Sequence, residues 1–174
     1  MLKLFFEEPT RHWRFKDIRQ NIPIADNKIS RWLKRFLEEE IISKLIPKGK
    51  MPYYIGNYEN PEYQNQKRIY ALKNLHKSGF LNHLAGLKAK TVILFGSFSR
   101  WDWHKNSDID LFIFGDDSDL EQHKYEKILN RPIQVFSCKN QKALKKFNKG
   151  LIMNIIKGDL IKGDLNFIEV KAIA

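Results

Sequence analysis

Two carboxylates on alternate positions, Asp108 and Asp110, follow a Gly96-Ser97 pair after a gap of ten residues. The flanks are apolar: Leu94-Phe95 leads into Gly96-Ser97, and Leu111-Phe112-Ile113-Phe114 follows Asp110. An apolar run that stops at small residues reads as a strand entering a turn. In the second run, alternate residues of a strand share a face, about 6–7 Å apart. Asp108 and Asp110 therefore project together, and Ile109, Leu111 and Ile113 are expected to point into a core. Paired carboxylates on a rigid strand suit Mg²⁺ or Mn²⁺, cations that take oxygen ligands and share them with phosphates. Gly96 lets a backbone approach an anion closely, and Ser97 adds a hydroxyl at the start of an expected helix over Phe98 to Trp103. The chemistry open to such a set is the positioning and charge neutralisation of a nucleoside triphosphate. An isolated Asp-x-Asp would serve equally as polar positions of a half-exposed strand, so the spacing to Gly96-Ser97 carries the reading.

The elements around this pair are expected to form one domain from about residue 90 to 174. Thr91 to Phe95 reads as a buried strand, Ile109 to Phe114 as the next, and Ile133 to Ser137 as a third. Asp119 to Leu129 reads as a helix, and Gln141 to Lys157 as one helix or two, ending at Gly158. The pentapeptide Ile-Lys-Gly-Asp-Leu occurs at 156–160 and again at 161–165, too short for a structural repeat. Its first copy is expected to mark the end of the helix.

The first half is organised differently. Short helices are expected over 1–8 and 15–20, and a longer one from Asp26 to Glu40 with Asp26 as its N-cap. Ile29, Trp32, Leu33, Phe36, Leu37 and Ile41 recur at steps of three and four and should form its buried face. Two β-prone runs, 41–46 and 53–55, flank Pro47-Lys48-Gly49-Lys50-Met51-Pro52 and predict a hairpin. Residues 62–88 predict one or two helices broken near Gly79, a connector between the halves.

Helices followed by a basic-tipped hairpin resemble a winged helix-turn-helix, a likeness carried by residues 1–58. The resemblance implies a DNA-binding domain over 1–60, with 61–89 as helical linker. Lys28, Ser30, Arg31, Lys34 and Arg35 would then face DNA, and Lys48 and Lys50 at the wing tip would meet phosphate. The alternatives are a merely solvated helix face and a protein-interaction module. Residues 91–165 resemble the minimal nucleotidyltransferases of the DNA polymerase β superfamily. The likeness rests on Gly96-Ser97, the ten-residue gap, Asp108-x-Asp110 between apolar strands, Ser107, Arg100, and the tail Leu151-Ile152-x-Asn154-Ile155-Ile156-x-Gly158. It implies an α+β architecture: a mixed sheet flanked by helices, behind the winged helix and its linker. It further implies that Gly96, Ser97 and Arg100 contact a triphosphate, with ATP the expected donor, and that Asp108 and Asp110 hold the metal and serve catalysis. The acceptor implied is unnamed, with HEPN-type toxins or other proteins among the family's partners.

Two departures stand out. The family's third carboxylate lies on the following strand, and here that strand, Arg131-Pro132-Ile133-Gln134-Val135-Phe136, carries Gln134 at the position. An amide can offer an oxygen to a metal but cannot take a proton. Trp101 follows Arg100 where the family commonly has glycine. Gln134 keeps a second reading open: a DNA-binding regulator or antitoxin whose transferase-like domain binds nucleotide without turnover.

Charge bears on the same choice. The chain of 174 residues carries a net +11. Residues 1–90 hold 18 Lys and Arg against 9 acids, whereas residues 91–174 hold 13 against 11. The basic excess thus lies away from the paired carboxylates, which suggests a polyanion partner such as nucleic acid for the first half; the alternative is a charge that serves solubility alone. The single Cys138 excludes an internal disulfide, and no Cys/His spacing suits zinc. No apolar run reaches the roughly 18 residues of a membrane span, and no signal peptide is legible. A cytoplasmic protein without membrane contact is expected, and winged helices often pair as homodimers.

Overall fold

A computed structural model describes residues 1–168. The last positions of the expected 90–174 domain, 169–174, lie outside the described residues. The chain forms two compact units: Met1–Ile69 with Asp102–Lys105, and Tyr70–Trp101 with the chain from Asn106 onward. The expected connector 61–89 is therefore divided between them. The architecture is mixed α+β, and no described helix is long and apolar enough to cross a membrane.

The first unit contains α1 (Leu2–Glu7), α2 (Phe15–Asn21), α3 (Asp26–Glu38), β1 (Ile42–Leu45), β2 (Tyr53–Gly56) and the opening turns of α4 (Pro61–Lys77). Ile29, Leu33 and Phe36 of α3 are buried, each contributing about 1.5–3 kcal/mol by leaving water. Trp32, expected on the buried face, is 42% exposed. Its ring lies 5.5 Å from that of Phe36 and receives the Arg35 guanidinium 5.4 Å from its centroid. It thus occupies the margin of the apolar stripe, where a large amphipathic ring can be half covered. Nor does Asp26 cap α3. Ala25 is the N-cap residue, and Asp26 stands in the first turn, where it meets Arg19 Nε at 3.4 Å. A first-turn acid is favoured by the helix dipole without a capping bond.

β1 and β2 pair antiparallel from Ile42↔Gly56 to Leu45↔Tyr53. Trp13 adds a bridge on the outer side: its N–H donates to Tyr54 O at 2.9 Å, and Tyr54 N–H returns to Trp13 O at 2.8 Å. The buried Tyr63 hydroxyl donates to Phe5 O at 2.7 Å, and burial pushes the phenol far above its ordinary range. Lys67 is 1% exposed, its ammonium 4.8 Å from the Trp103 ring centroid. Trp103 also meets Phe6 edge-on at 6.3 Å, and Lys105 N–H donates to Glu7 O at 2.9 Å.

The second unit is a four-stranded sheet with helices packed against it. It contains α5 (Phe80–Gly86), β3 (Thr91–Phe95), β4 (Ile109–Phe114), α6 (Gln122–Leu129), β5 (Ile133–Cys138), α7 (Gln141–Leu144), α8 (Lys149–Ile156) and β6 (Asp159–Lys162). The order is β5-β4-β3-β6, with β4 parallel to β5 and the other neighbours antiparallel. Ile109, Leu111 and Ile113 are buried as expected, but so is Phe112 on the opposite face. That face carries Ile93, Phe95, Phe112 and Cys138 under Leu144, Phe147, Leu151 and Ile155 of the α7–α8 region. Two helices form there because Asn140 and Asn148 each cap one, accepting from Ala143 N–H at 3.0 Å and Leu151 N–H at 2.8 Å.

β6 was not expected. The repeated pentapeptide brackets it, and both glycines are there for close approach. A Cβ on Gly158 would meet Leu94 O at 2.5 Å, and one on Gly163 would meet Lys90 O at 2.0 Å. The repeat marks the two ends of an edge strand.

Candidate active site

The carboxylate pair and the small-residue turn lie at one end of the sheet. Phe95, the last residue of β3, is the cross-strand partner of Asp110, and Gly96 continues from it. Gly96 has φ +74, and a Cβ there would stand 2.0 Å from Asp110 Oδ2 and 2.9 Å from Cγ. The glycine is thus required twice, by its left-handed backbone and by the carboxylate against its Cα. Sequence spacing tied Gly96 to Asp110, and the fold turns that spacing into van der Waals contact.

The expected helix from Phe98 to Trp103 is absent. Residues 96–99 form a turn, closed by Ser99 Oγ donating to Gly96 O at 3.0 Å. Phe98 and Ser99 are buried in the second unit, whereas Trp103 is buried in the first. Aromatic residues with separate destinations cannot share one helical face. Ser97 accordingly stands in a turn and not at a helix N-terminus, so an anion there would be met by turn N–H groups and the hydroxyl.

Asp110 is half-buried and Asp108 exposed. Burial holds the Asp110 carboxyl above its ordinary range, the Asp108 charge pushes it the same way, and the Arg100 cation pulls it back. Two of the predicted residues, Asp108 and Arg100, therefore act electrostatically on the third, Asp110. A half-buried carboxylate held protonation-prone beside a second carboxylate is a donor set that a divalent cation relieves. Among the described residues no group of three or more His, Cys, Asp or Glu comes together here or elsewhere. The pair fits one Mg²⁺, whose remaining positions water and triphosphate oxygens can fill. Gln134 stands directly across from Asp110 in the parallel β4–β5 register. The third position is an amide on the same face of the sheet.

One site residue escaped the sequence reading. Arg131 Nη1 donates to Ser107 O at 3.1 Å, just before Asp108, and its guanidinium lies 5.2 Å from the Phe98 ring centroid. Arg131 thereby ties the Gly96–Ser99 turn to the approach of Asp108. The signal was only an arginine preceding Pro132 and the strand.

The residues expected to face DNA stay on the surface of the first unit. Lys28, Ser30, Arg31, Lys34 and Arg35 are exposed on α3, and Lys48 and Lys50 are exposed at the hairpin tip. Two of them are engaged: Arg35 Nε reaches Glu39 Oε1 at 2.6 Å, and Lys34 Nζ reaches Glu38 Oε1 at 3.8 Å.

Residues 82–164 match the family model described as Polymerase beta, Nucleotidyltransferase, which supports the nucleotidyltransferase superfamily for this unit. No curated protein and no solved structure matches the chain.

Proposed function

We propose that the second unit is an Mg²⁺- or Mn²⁺-dependent nucleotidyltransferase that moves a nucleoside monophosphate, with ATP as the expected donor, onto an acceptor. The observation that carries this reading is the contact of Gly96 with the Asp110 carboxylate. It brings a turn suited to a triphosphate and a carboxylate pair suited to its cation to the same place. Asp108 and Asp110 would hold the metal, which when bound neutralises charge on the triphosphate and on the leaving pyrophosphate. Gly96 and Ser97 would fix the phosphate chain, and Arg100 would balance charge beside Asp110. Arg131 positions the two loops. In-line attack at the α-phosphorus then depends on placement more than on covalent help from the protein.

The first unit is proposed to be a winged-helix module that binds DNA. Three helices followed by a hairpin with a basic tip support this, as does the exposed cationic face of α3. Gln134 favours a second reading, a regulator or antitoxin that binds nucleotide without turnover.

One assay separates the two. The protein is incubated with ATP labelled at the α-phosphate, Mg²⁺ and cell extract as acceptor source. Label that transfers, and no longer does so in Asp108→Ala/Asp110→Ala, supports the enzyme. Tight nucleotide binding with no transfer to any component sinks it and leaves the regulator.

A further inference from the structure

Resting on the transfer reading, we infer that the acceptor is a phosphate monoester, which attacks as an anion already formed, and that Lys157 receives it. The neighbours of Asp110 on the adjoining strands are Phe95 and Gln134, and neither accepts a proton. Asp108 and Asp110 are committed to the cation. A phenol ionises near pH 10, whereas a phosphate monoester loses its second proton near pH 6. At neutral pH the second kind of acceptor needs no base.

The charge distribution of the unit fits the same acceptor. Residues 102–126 hold eight acids, yet from Lys127 to Lys157 there are eight Lys and Arg and no acid. Five of the eight, from Lys142 to Lys157, lie in or beside α7 and α8, which pack on the sheet face that bears Asp110. Phe147, between them, packs 6.1 Å from Phe112 and 6.3 Å from Phe136. Lys146 is tied to Ser137 O at 2.6 Å, while Lys142, Lys145, Lys149 and Lys157 are exposed. Lys157 ends this run at the carboxylate end of the sheet. Its neighbour Gly158 lies so close to Phe95 that an added Cβ would stand 2.8 Å from that residue's Cβ.

The step balances without a proton. An acceptor phosphate oxygen forms a bond to the α-phosphorus, the bridge to the β-phosphate breaks, and pyrophosphate leaves with the electron pair. The product is a P–O–P anhydride.

The test uses the full chain, α-labelled ATP and Mg²⁺. The acceptors are a short 5′-phosphorylated oligonucleotide, the same oligonucleotide with a 5′-hydroxyl, ribose 5-phosphate, and extract proteins. Label should appear on phosphorylated acceptors at least about 100-fold faster than on hydroxyls, in a bond that resists phosphatase and yields to pyrophosphatase. The rate should level off above about pH 7, once the second ionisation is complete. Labelling of the oligonucleotide with ribose 5-phosphate inert identifies a nucleic-acid end. Equal labelling identifies the phosphate alone, and both outcomes support the inference. Lys157→Glu should raise the acceptor KM at least tenfold. Without ATP, it should also abolish the preference of the protein for 5′-phosphorylated over 5′-hydroxyl oligonucleotide in anisotropy titrations. Label on proteins or hydroxyls with phosphates inert overturns this inference and leaves transfer standing. So does a rate that keeps climbing tenfold per pH unit. No label in any arm overturns both.

Discussion

The second unit keeps its functional groups against its backbone, and the first keeps its own on the surface. Asp110 is half-buried against a glycine Cα, at a fixed register with Phe95 and Gln134. The cations of α3 and of the hairpin tip are exposed, and two of those on α3 are engaged by acids one turn away. A group wedged into a sheet has few places to go, so a single change there should act steeply on one chemical step. Groups spread over a surface act through summed charge, and each change should be small and sensitive to salt. This contrast predicts an order of effects.

The steepest should be Asp110→Asn. Loss of one of the two carboxylates proposed to hold the cation should remove several kcal/mol of charge stabilisation, on the order of 10³-fold in transfer. The same substitution should raise the melting temperature at pH 7 in metal-free buffer. The carboxyl is held above its ordinary value of 3.8 by burial and then by Asp108, so the native state binds its proton more tightly than the unfolded chain does. Ionisation between 3.8 and the raised folded value therefore removes stability, and the loss is complete above that window. Wild type and variant should converge as pH falls below 3.8, and Mg²⁺ should stabilise only the wild type. A variant less stable than wild type at pH 7 would mean that Asp110 is a structural carboxylate, and the contrast between the units would fail.

Gly96→Ala comes next. The added Cβ meets Asp110 Oδ2 at 2.0 Å, and φ of +74 adds strain of about 1–2 kcal/mol. The carboxylate is short and must turn away, a displacement on the scale that costs about 10²-fold in rate. Transfer should fall by that order while circular dichroism stays native. Wild-type turnover in this variant would show that the Gly96–Asp110 contact is incidental.

These two residues were legible in the sequence because their spacing and type encode a backbone requirement. The same logic worked for β3, β4 and β5, each a short run rich in apolar and β-branched or aromatic residues between turn signals. It failed where the deciding partner is distant. β6 reads as polar and apolar residues in no clear order, because an edge strand covered on part of one face need not alternate cleanly. The stretch from Phe98 to Trp103 follows a small-residue turn, where a helix was the expectation, but Trp103 is buried in the first unit beside Phe6 and Lys67, and nothing local announces that. Lys67, a charged residue in the expected connector, is buried there as well. Trp32 met the periodic rule and still stayed half outside, because periodicity gives a direction and not the width of what covers it.

For the surface unit the prediction is smaller and additive. Lys28→Glu/Arg31→Glu should weaken binding to duplex DNA by roughly one to two orders of magnitude at moderate salt. It should also lower the slope of log affinity against log salt by about 2. Nucleotidyl transfer to a small acceptor should be unchanged within about twofold, since both residues lie in the other unit. Equal DNA affinity in variant and wild type would remove α3 as a nucleic-acid surface.

Arg35→Ala should be the mildest change and the one most diagnostic of how the α3 cations are used. Its guanidinium is held by Glu39 at 2.6 Å and lies over the Trp32 ring. An i,i+4 pair at the surface is worth about 0.3–0.5 kcal/mol, so thermal stability should fall by only a degree or two. The effect on DNA should also be slight. A cation already paired with a carboxylate has less charge to offer a phosphate, and freeing Glu39 leaves an acid on the same face. Arg35→Ala should therefore change the salt slope by well under 1, against about 1 for Arg31→Ala. Glu39→Gln should do the reverse and strengthen DNA binding a few-fold, because it releases Arg35. Were Arg35→Ala to weaken binding as much as Arg31→Ala while Glu39→Gln had no effect, the ion pair would not survive on the nucleic-acid surface. Every cation of α3 would then have to be counted alike.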